Sequence, residues 1–153
     1  MDSPDRERSL LALHGAAVLL LGLLCGLPAV SEELAGLQPT TWRAAHGALL
    51  LAGVWLLATA ALLPVLVLPP RQRKALAWSL IATAYAFTSA VLIQAVTGVR
   101  ALSPHGTASG WVAYIANLAT VATGLLAAIL TLLGAKGGLT RQPSRGPTGE
   151  HFR

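Results

Sequence analysis

The sequence predicts an all-α integral membrane protein, a bundle of four membrane-spanning helices with both termini on the cytoplasmic side. Three observations carry this expectation. Residues 10–30, 44–68, 75–99 and 110–135 contain no Asp, Glu, Lys or Arg. About 20 apolar residues cross the hydrocarbon core as a helix, which bonds all of its own backbone. Only 11% of the 153 residues are charged, against roughly 25% in soluble domains, and these charges lie between and beyond the apolar runs. Small residues also recur every four positions: Ala44, Ala48 and Ala52; Ala82, Ala86 and Ala90; Ala116, Thr120 and Gly124. That spacing lets helix backbones approach closely in lipid.

Residues 1–9 form a polar cytoplasmic segment of mixed charge. The first span, 10–30, is long for a signal-peptide core. The residues at its end, Leu27-Pro28-Ala29-Val30, lack a small-x-small cleavage pattern, so the span is expected to be retained. Its lone Cys25 allows no internal disulfide and is expected to pack as a small hydrophobe. Residues 31–43 are a loop with Glu32, Glu33 and Pro39. In the second span, 44–68, Pro64 is expected to kink the helix near its end. Residues 69–74 form a short basic turn. The third span, 75–99, carries Tyr85 and Gln94. Residues 100–109 are a loop with Pro104, His105 and Gly106. The fourth span, 110–135, carries Tyr114 and Asn117. The spans make one domain, 10–135. Residues 136–153, rich in Gly, Pro, Ser and Arg, are expected to be a disordered cytoplasmic tail.

The bias of basic residues sets the orientation. Arg6, Arg8, Arg71, Arg73, Lys74, Lys136, Arg141, Arg145 and Arg153 fall on one side, and only Arg43 and Arg100 on the other. The richer side is cytoplasmic. The net charge of +5 thus follows membrane topology, with no aromatic interleaving and no nucleic-acid motif. The expected partner is the lipid bilayer, not nucleic acid. Trp42 and Trp111 fall at the outer interface and Trp78 near the inner one, as aromatic belts do. Trp55 is mid-span.

His46 opens the second span. An ionisable group at that depth is a functional candidate, and neutral imidazole is a good metal ligand. The alternating topology puts His14 near the inner face and His46 near the outer. At about 1.5 Å rise per residue, most of the membrane separates them, so one subunit cannot use both on one metal. Gln94, Tyr114 and Asn117 come from the depth of His46, with Tyr114 and Asn117 on one face at i,i+3. The four can form a polar layer in the outer leaflet. Such residues can equally just bond a neighbouring helix, for about 0.6 kcal/mol each. His105, in a loop, reads as solvated. There is no phosphate-binding loop, nucleophile elbow, carboxylate pair or zinc spacing. Charge-free spans argue against ion-coupled transport.

Leu13-His14-Gly15 opens the first span. Trp42 and His46 open the second, Gly53 follows seven residues later, and Arg100-Ala101-Leu102 follows the third. These features resemble the styrene oxide isomerase family over most of residues 10–135. The resemblance implies a homotrimer that binds haem b between subunits. His46 is then the axial iron ligand, with its neighbours Trp42 and Arg43 as cofactor contacts. It also implies that ferric iron acts as a Lewis acid on a small apolar epoxide, whose C–O bond opens before a hydride shift gives an aldehyde. No cosubstrate is needed. The expected location is the plasma (inner) membrane of a bacterium. Four positions depart from the family pattern. Its pocket asparagine falls on Ala52, and its third-span tyrosine and asparagine fall on Val91 and Phe87. Its arginine two before the histidine has moved to Arg43. Tyr114, Asn117 and Tyr85 are therefore the candidate substrate-orienting groups. The alternatives are a non-catalytic haem-binding membrane protein or sensor, and a haem-free scaffold subunit.

Overall fold

A computed structural model describes residues 3–35, 41–98 and 106–140. The expectations for Pro39, Arg100-Ala101-Leu102, Pro104, His105 and residues 141–153 lie outside them. The described residues form four helices, α1 (Ser3–Leu34), α2 (Thr41–Leu62), α3 (Pro70–Thr97) and α4 (Ala108–Thr140). Each is long and apolar enough to cross a membrane.

Helix ends differ from the apolar runs for local reasons. α2 stops at Leu62 instead of bending through Pro64, because a residue before proline is pushed out of the helical region. The chain turns there, with the Val65 N–H donating to the Leu62 carbonyl at 2.9 Å. Residues 66–69 form no regular element, and the Val67 N–H donates to Gly134 of α4 at 3.0 Å. The basic stretch after Pro69 is not a turn. Pro70 opens α3, since proline's fixed φ suits a first helical position whose N–H needs no partner. Arg71, Gln72, Arg73 and Lys74 are thus the first turn of α3. α3 ends at Gly98, whose φ of 67° is the left-handed cap conformation that glycine adopts without strain. Thr107 caps α4 by accepting from the Gly110 N–H at 3.2 Å, and α4 runs on to Thr140, five residues into the expected tail.

The helices alternate in direction. Arg43 at the start of α2 pairs with Glu33 at the end of α1 at 2.7 Å. Thr41 donates to the carbonyl of Ala95 near the end of α3 at 3.2 Å. α3 is the central helix. It packs on the other three, while α4 touches no helix but α3 among the described residues and meets the chain again at residues 65–68. Half of α3's apolar window is buried, against 17% for α4. Leu11, Val18, Leu49, Leu56, Leu63, Leu76 and Leu80 are fully buried between α1, α2 and α3. In a bilayer, lipid is as apolar as leucine, so close packing rather than water exclusion must hold helices together.

The closest approach is between α1 and α2. A Cβ on Gly53 would lie 2.7 Å from the Leu19 backbone nitrogen, and one on Gly15 3.1 Å from the Gly53 carbonyl. These glycines, not the alanine row of α2, make the crossing. Ala44 is exposed, and Ala48 and Ala52 face elsewhere.

Candidate functional site

His46 lies in the second turn of α2, partly buried against α1. Its Nδ1 is 2.8 Å from the carbonyl oxygen of Gly22. A carbonyl only accepts, so Nδ1 carries the proton and donates it. The ring lies over Gly26, one helical turn further along α1. A Cβ there would stand 3.0 Å from Nδ1 and 3.2 Å from Cε1.

A second feature stands on the other side of α2. Ala48, Leu51, Ala52, Val54 and Trp55 of α2, Thr83, Ala84 and Phe87 of α3, and Thr120 of α4 line a cleft of about 610 Å³. It exists because α4 packs on α3 but not on α2 and leaves a gap over α2. The two lining hydroxyls have their protons already engaged. Thr83 and Thr123 lie 2.7 Å apart across α3 and α4, with Thr83 also donating toward Ser79. Thr120 donates to Ala116 at 2.8 Å. The cleft therefore offers an incoming molecule an almost purely apolar wall. Ala52 and Phe87, two of the positions where polar groups were missed in the sequence, both face it.

At about 100° per residue, His46 and Trp55 point to opposite sides of α2. Within one protomer the imidazole and the cleft do not meet.

The remaining candidates scatter. Arg43 is exposed and paired with Glu33, and Trp42 packs against the core in the first turn of α2. Tyr85 is on the face of α3 away from Phe87, with its hydroxyl 2.9 Å from His14 Nδ1. The two rings meet edge to face, with centroids 5.5 Å apart. Tyr114 stacks edge-on with Trp111 at 6.3 Å. Asn117 lies about one turn N-terminal to Thr120 on a neighbouring face of α4. His46 directs Nδ1 to α1 rather than to Gln94 or Tyr114. Among the described residues, no three His, Cys, Asp or Glu side chains gather as a metal site.

Sequence reasoning missed Gly22 and Gly26. Their signal was the glycine row of α1, with Gly15, Gly22 and Gly26 falling on one helical face at spacings of seven and four.

Fold and site together define a small multi-pass membrane protein with one inward-tethered histidine and one apolar cleft. A family model described as styrene oxide isomerase matches residues 7–139. The chain belongs to that family, and membership implies an isomerase. No curated protein and no solved structure matches the chain.

Proposed function

We propose that this protein is a membrane-embedded isomerase that converts a small apolar epoxide to its aldehyde, with haem b held by His46. The reading rests on family membership and on the donor set around His46. Among the described residues no three metal-ligating side chains gather, so a single imidazole here suits a metal that arrives with most of its ligands, as haem iron does, and not a bare ion that needs three or four protein donors. With Nδ1 bonded to Gly22, Nε2 keeps the lone pair that a ligand requires. Bound there, ferric haem would supply a Lewis acid for the epoxide oxygen.

The chain's own residues do the rest. Trp55, Phe87, Leu51 and Val54 hold an apolar substrate by contact. The small Ala48, Ala52 and Ala84 leave it room. The hydroxyls of Thr83 and Thr120, their protons engaged, give water little to bond, which protects an opening epoxide from capture as a diol. The C–O bond breaks, a hydride moves to the neighbouring carbon and C=O forms, so product and substrate are isomers and nothing else is consumed. We give Tyr114 and Asn117, on the outer continuation of α4, the orienting role. We read Tyr85, bonded to His14, as a strut between α1 and α3.

Because His46 and the cleft lie on opposite sides of α2, we infer that the site is shared. The histidine of one copy faces the cleft of the next in a ring, with a trimer as the family expectation, and Trp42 and Arg43 flank the cofactor there. A head-to-tail contact that closes on itself yields such a ring. Both termini face the cytoplasm of a bacterial plasma membrane.

The test is turnover. Membranes carrying the protein should convert aryl or alkyl epoxides to carbonyl isomers, and His46→Ala should abolish it. Haem-replete protein that converts none of them would favour a second reading, a non-catalytic haem binder or sensor. That reading draws on Ala52 and Phe87, which put no polar group into the cleft.

A further inference from the structure

We infer that Gly22 and Gly26 of α1 are positioning residues for His46, the first by fixing its tautomer and the second by fixing its ring. This deepens the haem reading and depends on it only for its consequence. The 2.8 Å contact to the Gly22 carbonyl requires a proton on Nδ1. In a neutral imidazole the other nitrogen is then the acceptor. Histidine ligands are held in this way, with the second ring N–H donated to a carbonyl or carboxylate that sets orientation and raises basicity. Here the carbonyl belongs to a neighbouring helix, so the tautomer of a group on α2 is dictated by the packing of α1.

Gly26 makes that contact geometrically available. Its Cα surface is the floor on which the imidazole rests. A Cβ would stand 3.0 Å from Nδ1, 3.2 Å from Cε1 and 3.7 Å from Cγ. The obstructed group is the end of a side chain, so an alanine there displaces the ring instead of prying the helices apart. The ring has to give by a few tenths of an ångström, which stretches and tilts the 2.8 Å contact to the Gly22 carbonyl and lets the Nε2–H tautomer compete. Gly22 itself is a poorer probe. A Cβ there would sit 2.9 Å from the Leu50 backbone nitrogen and would disturb the helix crossing. Gly47, next to His46, supplies the control, since a Cβ there meets nothing within 4 Å.

The experiment uses the full chain labelled with ¹⁵N-histidine in lipid nanodiscs without haem, with the His46 signals assigned by their loss in His46→Ala. Wild type and Gly47→Ala should show a protonated Nδ1 and an unprotonated Nε2, and Gly26→Ala should show mixed tautomers. Haem titrated into the same samples should bind about 10- to 100-fold more weakly to Gly26→Ala, the range for losing such a supporting partner. A wild-type His46 protonated on Nε2 would overturn the inference, as would a Gly26→Ala protein with unchanged tautomer. If no sample binds haem, the cofactor assignment fails, while the tautomer result still decides the roles of Gly22 and Gly26.

Discussion

His46 and Trp55 stand on opposite sides of α2, the first against Gly22 and Gly26 of α1 and the second in the wall of the apolar cleft. A site that uses both must draw on two copies of the chain.

That arrangement predicts complementation. His46→Ala and a cleft-filling Ala52→Trp should each be inactive alone. Co-expressed in equal amounts, they should restore about a quarter of wild-type turnover, because each shared site draws its two halves independently from neighbouring copies. The measurement is epoxide isomerisation in purified mixed oligomers. Sites confined to one subunit would leave the mixture inactive, since every copy lacks one half.

The crossing of α1 and α2 predicts a second effect. Gly53→Leu forces side-chain atoms into space where even a Cβ lies 2.7 Å from the Leu19 nitrogen. Overpacking of this kind costs about 1–3 kcal/mol, read as a lower unfolding temperature in detergent. Gly47→Ala, with open space around its Cβ, should be neutral or stabilising by up to about 1 kcal/mol, since alanine favours a helix over glycine.

The His14–Tyr85 bond predicts a third. Tyr85→Phe removes the hydroxyl 2.9 Å from His14 and should lower stability by about 0.6 kcal/mol, the average for such bonds between membrane helices. Isomerase turnover should stay within about twofold if the pair is a strut, as uniform effects of this size do not touch the transition state. A much larger fall in turnover would give Tyr85 a part in the reaction.

The four helices were legible because lipid forbids unpaired charge, and the gaps in Asp, Glu, Lys and Arg mark them directly. His46 stood out for the same reason. The ends were less legible, because prolines act by position. Pro64 stops α2 two residues ahead of itself, while Pro70 starts α3 inside what reads as a basic turn. Packing faces were harder still. The alanine row of α2 read as a close-contact surface, but Gly15, Gly22 and Gly53 make the contact between α1 and α2, while Ala48 and Ala52 line a gap. The partner of His46 was invisible, because it is a backbone carbonyl, which every residue has. The separation of His14 from His46 did follow from chain direction alone. His14 bonds Tyr85 while His46 bonds Gly22.

One spectrum tests most directly whether His46 carries haem. Detergent-purified wild type, supplemented with haem and recorded oxidised and then dithionite-reduced, should show a Soret band that shifts on reduction. His46→Ala prepared in parallel should lack it. A colourless wild type, or a His46→Ala protein that retains full haem, would contradict the account.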